Sequence, residues 1–200
     1  MSGATRRDTG RGMSQENVEV VRKPLRVSAR SRRTLDERLA LRFPRPFAAY
    51  ARLISRLPPS SRLRQATLWR AARRALEAYN RRDLDAVVIG CHPEFEWHPD
   101  RRWVEAGLME SSYRGVEGYR RYVAATAEVF GGEVYMQPVE LIDLGARFVV
   151  LAEAPMRAQA SGVPLTEAWA LVATVDGGQV ISYHEYFDHA ETLEAEGLSE

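Results

Sequence analysis

Hydrophobic residues in the first half of the chain recur at intervals of three and four, which is the spacing of an amphipathic helix. Leu35, Leu39 and Phe43 follow a capping box formed by Thr34 and Glu37, and together they predict a helix from about 35 to 42. The same spacing predicts three further helices, at about 47–57, 61–80 and 83–90.

In the second half, apolar and polar residues alternate as they do along β-strands. Phe95 and Trp97 alternate with Glu96 and His98, which predicts a first strand from 94 to 98. A loop with one helical turn near 104–109 and a helix at about 116–130 follow this strand. Four longer strands with glycine turns between them are predicted to form an antiparallel meander, at about 133–144, 146–158, 164–175 and 178–187. Because helices and strands do not alternate as βα units, the predicted fold class is α+β.

Five segments between Ala75 and Leu198 carry a family resemblance: ALEAYNRRDLDA, EFEWHP, YRGVEGYRRYV, VELIDLGARFVVL and QVISYHEYFDHAETLEAEGL. Their order resembles the SnoaL-like, or polyketide cyclase-like, branch of the nuclear transport factor 2-like superfamily. The resemblance implies a cone in which helices pack on a strongly curved antiparallel sheet and enclose a mostly apolar pocket. It also implies a homodimer formed through the outer face of the sheet.

The chain divides around this resemblance into a disordered N-terminus (1–19), a basic amphipathic helical arm (20–64) and the cone domain (65–198). The first residues lack apolar periodicity, which is typical of disorder. Met13 begins MSQENVEVVR, which resembles the opening of the family and makes Met13 a second candidate start. Ser14 then caps a short helix that contains Val18 and Val21. The arm is an insertion between this opening and the cone.

The net charge of +1 conceals two oppositely charged halves. Residues 1–82 carry 21 Arg and Lys against 6 Asp and Glu, or +15, whereas residues 83–200 carry 7 against 21, or −14. We expect the arm to pack its apolar stripes against the cone and to lay its arginines on the acidic surface of the same subunit or of a partner. Docking to an anionic membrane surface is the second alternative. Nucleic acid is disfavoured, because the arginines alternate with apolar residues at helical spacing.

Several kinds of protein are disfavoured by what the sequence lacks. It contains no run of about 18 uncharged apolar residues that could span a membrane, and its first 30 residues lack the apolar core of a secretory signal. A cytoplasmic protein is therefore expected. No glycine-rich nucleotide-binding motif is present, so no cofactor is predicted. The single cysteine, Cys91, cannot form an internal disulfide and is expected to be a small buried hydrophobe.

Metal binding is also disfavoured, although four potential ligands lie close together in the sequence. Glu94, Glu96 and His98 share one face of the first predicted strand, and His92 precedes them. Consecutive side chains on one strand face are about 7 Å apart and do not converge on one ion. No metal is therefore expected.

The last predicted strand carries the sharpest candidate for catalysis. Tyr183, Glu185 and Phe187 share one face of this strand, and the family resemblance points that face into the pocket. A carboxyl group among aromatic rings is poorly solvated, so its pKa rises and it can act as a general acid or base near neutral pH. The alternative is that Glu185 pairs with an arginine or lies at a wet rim.

Further pocket residues follow from the same alternation. Glu167 and Trp169 share a face of the preceding strand, and Trp97 is the matching candidate on the first strand. The two tryptophans offer stacking area and an N–H donor, or they pack as plain core residues.

His98 is the second catalytic candidate. It lies near the position at which the resemblance to ketosteroid isomerases and cyclases would place an acidic base, and histidine can serve as a base at neutral pH. The alternative is that His98 faces solvent or a dimer partner. The tyrosine of the isomerase oxyanion hole falls at Ala75, so that part of their site is not expected here.

The sequence therefore predicts a protein that binds a small, mostly apolar organic molecule. Such a protein could also catalyse an isomerase, cyclase or hydrolase reaction by proton transfer. The alternative is a non-catalytic binding or dimeric interaction module. A pocket of several hundred cubic ångströms that Glu185 or His98 faces would favour an enzyme. A pocket filled by aromatic side chains would favour the module.

Overall fold

The computed structural model describes residues 21–24, 32–132, 134–157 and 164–198. In chain order these residues form β1 (Val21–Pro24), α1 (Leu35–Arg42), α2 (Pro44–Ser55), α3 (Arg62–Asn80), α4 (Leu84–Val87), β2 (Cys91–His98), α5 (Arg101–Glu105), β3 (Tyr113–Arg114), α6 (Gly115–Phe130), β4 (Gln137–Asp143), β5 (Arg147–Arg157), β6 (Pro164–Asp176), β7 (Gln179–Tyr186) and α7 (His189–Ala195). A single 3₁₀ turn joins α4 to β2. The predicted α+β class is confirmed.

All seven of these strands belong to one sheet, in the order β1-β4-β5-β6-β7-β2-β3, which does not close into a barrel. The antiparallel meander predicted for the last four strands is confirmed, since β4 pairs with β5, β5 with β6 and β6 with β7 in antiparallel fashion. β2 instead pairs parallel to β7, with Trp97 opposite Tyr183. The prediction of a wholly antiparallel sheet is therefore wrong. No hairpin joins β2 to β7, so turn geometry does not set their relative direction.

Two clusters of buried side chains hold the helices against the inner face of the sheet. In the first, Leu76 and Tyr79 of α3 pack with Val150 and Trp169 of the sheet. The second cluster joins α6 to β2 and β3 and consists of Phe95, Trp97, Met109, Tyr113, Tyr119 and Tyr122. Burial of these large side chains is the main force that closes the cone.

On the outer face of the sheet, a third cluster is covered by α7, which the sequence analysis did not predict. Asp188 caps this helix by accepting hydrogen bonds from the backbone N–H groups of Ala190 (2.7 Å) and Glu191 (3.1 Å). Leu193 of α7 packs on outward-facing residues of β4 to β6, such as Val172. Part of the face expected to form the homodimer is therefore occupied by a helix of the same chain.

The arm packs against the cone, and ion pairs cross the contact between them. Arg33 donates to both carboxylate oxygens of Asp83 at 2.6 Å, and Arg81 donates to Glu37 at 2.8 Å. The capping box of Thr34 and Glu37 is present, as predicted. α2 directs its apolar stripe inwards, as expected for the packed arm.

α1 lies at its predicted position but is turned the other way. Its side with Glu37 and Ala40 is buried, whereas Leu35 and Leu39 are exposed. The expectation that this apolar stripe packs against the cone is wrong. The physical reason is the ion pair between Glu37 and Arg81, which draws the acidic side of α1 towards the cone.

The start of the described residues differs from its prediction. Val21, expected in a helix, lies in β1 opposite Asp143 of β4, so the helical prediction is wrong for this residue. Ser14 and Val18, and the N-terminus expected to be disordered, lie outside the described residues. α5 begins a few residues before the helical turn expected near 104–109. No helix in the described ranges is both long enough and apolar enough to cross a bilayer.

Candidate functional site

The interior of the cone contains a cavity of about 220 Å³, called the cone cavity below. It is lined by α2, α3, the segment from α4 to β2, α6 and the inner face of the sheet. Most lining side chains are aliphatic or aromatic, and examples from different elements are Ile54, Leu68, Phe95, Val150 and Leu171. Such a surface offers many dispersion contacts and few hydrogen bonds.

Three of the predicted pocket residues, Trp97, Trp169 and Tyr183, line the cone cavity. The ring centroid of Trp97 lies 4.8 Å from that of Tyr122 and 4.9 Å from that of Tyr183. The Trp169 ring packs against Phe187 at 4.5 Å. The indole N–H groups of both tryptophans are buried without a hydrogen-bond partner in the described part of the chain. The indole N–H of Trp103, which does not line the cavity, is also unpaired among the described residues, so the unpaired donors do not by themselves distinguish a ligand contact from core packing.

Glu185 lies on the same face of β7 as Tyr183 and is buried, with 2% of its surface exposed. The hydroxyl of Tyr122 donates a hydrogen bond to Oε1 of Glu185. Oε2 of Glu185 has no hydrogen-bond partner among the described residues, and no arginine there pairs with the carboxyl. Glu185 itself does not line the cone cavity, but Tyr122 does. The carboxyl group is therefore connected to the cavity through the Tyr122 hydroxyl.

The surroundings of Glu185 change its acidity. Burial raises the pKa of the Glu185 carboxyl to about 8, against the opposing effect of the Tyr122 hydrogen bond and the Asp100 backbone amide. The indole of Trp169 also favours the ionised form, although it does not meet the geometry of a hydrogen bond. Burial raises the pKa of Tyr122 well above its ordinary value, and the Glu185 charge adds to that rise. At neutral pH the carboxyl thus keeps a proton that an ordinary glutamate has lost.

His98, the second catalytic candidate, lies on the outer face of the sheet. Its ring stacks on that of His184, with centroids 4.4 Å apart, and its Nε2 is 3.4 Å from a carboxylate oxygen of Glu96. Because Trp97 points inwards, the next residue on the strand points outwards. His98 does not line the cone cavity, so the hypothesis that it acts there as a base is wrong and the alternative orientation is found.

Glu167 also falls outside the cone cavity. It shares the inner face of β6 with Trp169 and lies opposite Ala154 of β5. The lining of the cavity on β6 begins only at Trp169. The interpretation of Glu167 as a pocket residue is therefore wrong, because β6 extends past the end of the cavity.

Two parts of the site were missed by the sequence analysis. Tyr122 was not singled out, although it lies three residues after Tyr119 on the inner side of α6, and this spacing could have identified it. The second part is α2, whose apolar stripe was expected to pack on the cone in general. In the structure Phe47, Tyr50 and Ile54 of this stripe line the cone cavity itself.

Two contacts near the middle of α2 hold this helix over the cavity. The Tyr50 hydroxyl lies 3.1 Å from Oγ1 of Thr67 on α3. Gly178, in the turn between β6 and β7, has a φ of +82°, and a Cβ atom at this position would lie 2.6 Å from the carbonyl oxygen of Ala51. The backbone of α2 therefore rests directly on the turn, and only glycine leaves room for it.

A buried arginine anchors the end of α2. Arg64 binds both carboxylate oxygens of Asp143 at 2.7 and 2.8 Å. It also donates to the carbonyl oxygens of Ser55 (2.8 Å), Leu57 (3.1 Å) and Gly145. This guanidinium group thus ties the end of α2 to the turn between β4 and β5.

The described residues contain no group of three or more His, Cys, Asp or Glu side chains that could hold a metal ion. Cys91 lines the cone cavity, and burial raises the pKa of its thiol to about 12. It is therefore a neutral side chain at physiological pH rather than a nucleophile. Tyr122 and Glu185 are titratable groups that contact each other at the site.

Known proteins resemble the chain at the level of the domain. The family model for the SnoaL-like domain matches residues 72–183, whereas no curated protein matches the sequence. The crystal structure of TerC co-crystallized with polyporic acid is 24% identical, with a TM-score of 0.52 over 64% of this chain and 95% of that chain.

A nuclear transport factor 2-like protein of unknown function from Burkholderia pseudomallei is also 24% identical. Its TM-score is 0.51, over 62% of this chain and 93% of that chain. Identity this low shows a shared fold only. The family match, in contrast, spans more than half of the sequence, and the protein therefore belongs to the SnoaL-like domain family.

Proposed function

We propose that the protein binds a small, mostly apolar organic molecule in the cone cavity. The observation that carries this proposal is the apolar lining of the cavity, which α2 partly covers on one side. Ligand sites are typically apolar concave surfaces with a few polar groups that fix orientation. Here those groups are the hydroxyls of Tyr122 and Tyr183 and the side chains of Tyr50 and Thr67 on the α2 side.

Intrinsic fluorescence tests this binding, since Trp97 and Trp169 line the cavity. Polyporic acid, which is present in the TerC structure, is a suitable first probe, together with other aromatic compounds of similar size. We expect a saturable change in fluorescence that Trp97→Phe reduces. Trp103→Phe is the matched control, because Trp103 packs on Phe130 and Phe187 but does not line the cavity. A saturable signal that both variants change equally, or no binding of any probe, would contradict the proposal.

A second candidate function, proton-transfer catalysis, is favoured by the contact between Tyr122 and Glu185. When Glu185 acts as a general base, its ionised carboxylate accepts the proton of the Tyr122 hydroxyl. The Tyr122 oxygen in turn accepts a proton from the bound molecule. The reverse transfer returns the proton to another position of that molecule, so the net reaction is an isomerisation or a cyclisation. A carboxyl with its pKa near ambient pH suits both directions.

Deuterium exchange separates catalysis from binding alone. A bound probe that carries an acidic C–H next to a carbonyl group is incubated with the protein in deuterated water, and incorporation of deuterium at that carbon is followed by mass spectrometry. A proton-transfer enzyme incorporates deuterium. Glu185→Gln abolishes the incorporation while the fluorescence titration is preserved, because Glu185 does not line the cavity, and Tyr122→Phe abolishes it as well. Tight binding without incorporation in the wild type would establish the non-catalytic module instead.

Two predictions from the sequence stay open beside this proposal. The homodimer would use parts of the outer sheet face that α7 leaves free, around His98 and His184, and light scattering of the purified protein tests it. The cytoplasmic location likewise stays a prediction.

A further inference from the structure

The outer side of the arm exposes apolar side chains in a regular pattern. On α1 and at its end, Leu35, Leu39 and Phe43 recur every four residues and are 71%, 49% and 51% exposed. On α2, Leu53 is 61% exposed and does not line the cone cavity. Large apolar side chains arranged on one helix face and open to solvent are typical of an interaction surface.

Arginines border these apolar side chains. Five of them are exposed, four on α1 and α2 and one directly after α2: Arg38, Arg42, Arg45, Arg52 and Arg56. Together with Leu35, Leu39, Phe43 and Leu53 they are called the outer arm surface below. None of the five forms an ion pair with a carboxylate in the described part of the chain. The arginines on the inner side behave differently, since Arg33, Arg64 and Arg81 each bind a carboxylate.

The acidic residues of the arm do not offset this charge. Asp36 accepts from Arg74 at 2.6 Å, and Glu37 is fully buried against Arg81. The same ion pairs that turn the acidic side of α1 inwards leave its leucines on the outside, together with Arg38 and Arg42, which have no carboxylate partner among the described residues. The outer arm surface therefore combines apolar side chains with positive charge only.

We propose that the outer arm surface docks to an anionic lipid bilayer. Leucine and phenylalanine side chains can enter the boundary between headgroups and acyl chains, while the neighbouring guanidinium groups bind lipid phosphates. A nucleic acid would use the arginines but leave the leucines in water. A second copy of the same surface would bring arginines against arginines, which opposes an isologous contact.

The proposal goes beyond ligand binding and does not depend on it. α2 contributes several side chains to the lining of the cone cavity and contributes Leu53, Arg45 and Arg52 to the outer arm surface. Docking in this orientation requires no movement of α2. The two proposals can therefore fail separately.

Vesicle co-sedimentation of the full chain tests the docking surface. We expect binding to vesicles of phosphatidylcholine mixed with phosphatidylglycerol, weak or absent binding to phosphatidylcholine alone, and weaker binding as salt increases. Each of Arg38→Gln and Arg42→Gln is expected to lower the affinity about fivefold at low salt. The double variant Leu35→Asp/Leu39→Asp is expected to lower it by at least tenfold, because it removes inserted apolar groups and adds charge repulsion.

Matched controls separate this surface from general charge and hydrophobicity. Leu108→Asp changes a leucine on the cone that is 50% exposed, and Arg101→Gln removes an exposed arginine of α5. Both are expected to leave vesicle binding unchanged. All of the substituted side chains are exposed, so circular dichroism should show the wild-type fold for every variant.

Several results would overturn the proposal. One is binding that survives Leu35→Asp/Leu39→Asp, and another is equal binding to both kinds of vesicle. If substitution of Arg6, Arg7 and Arg11 alone abolished vesicle binding, that binding would be assigned to the N-terminus. Preferential sedimentation with duplex DNA would assign the surface to nucleic acid. Conversion of a dimer to a monomer by Leu39→Asp in light scattering would assign it to a second copy.

Discussion

Replacement of Glu185 by glutamine should remove a pH dependence from the stability of the fold. Burial raises the pKa of the carboxyl from 4.5 to about 8. Above pH 4.5 the unfolded chain therefore releases a proton that the folded protein keeps. The free energy of unfolding of the wild type consequently falls as pH rises, until the folded carboxyl also ionises near pH 8.

The size of the effect follows from the shift. One pKa unit corresponds to about 1.4 kcal/mol, so the full difference between pH 4.5 and pH 8 is about 5 kcal/mol. Glutamine cannot ionise, and its carbonyl oxygen can still accept the hydrogen bond from Tyr122. Glu185→Gln should therefore match the wild type near pH 5 and exceed its stability by several kcal/mol at pH 8.

Urea unfolding, followed by tryptophan fluorescence at each pH from 5 to 8, measures this difference. Asp36, Asp83 and His184 also have shifted pKa values, but they are common to both proteins and cancel in the comparison. Glu105→Gln, at an exposed position of α5, is the control and should follow the wild-type curve. Parallel curves for the wild type and Glu185→Gln would refute the reasoning.

Three further predictions concern the elements around the cavity. Gly178→Ala should destabilise the fold by about 1–3 kcal/mol more than Gly177→Ala. Both glycines have positive φ, but only Gly178 contacts the α2 backbone. Urea unfolding compares the two variants, and equal losses of stability would contradict the contact. Arg64→Met should lower the free energy of unfolding by about 3–5 kcal/mol, since it leaves the Asp143 carboxylate buried without its partner. A decrease below about 1 kcal/mol in the same assay would contradict the anchoring role of Arg64. His98→Ala should leave probe binding in the cone cavity unchanged, and a large loss in the fluorescence titration would show that the outer face affects the site.

The candidate site could be predicted in part. Alternation along β7 put Tyr183 and Glu185 on one face, and alternation along β2 separated Trp97 from His98, because side chains on any strand alternate. Alternation alone could not decide which of the two faces of β2 points towards the interior of the cone. The bond between Tyr122 and Glu185 was also out of reach, since it joins a helix and a strand that are far apart in the chain.

The sequence by itself determined where the helices and most strands lie, because periodicity and capping depend on residues a few positions apart. It did not determine how these elements face one another. The Glu37–Arg81 ion pair turns the leucines of α1 outwards. β2 pairs with β7 in parallel. The backbone of α2 lies against Gly178, so a helix of the inserted arm forms one wall of the cavity. Each of these outcomes depends on contacts between distant segments, which only the tertiary structure brings together.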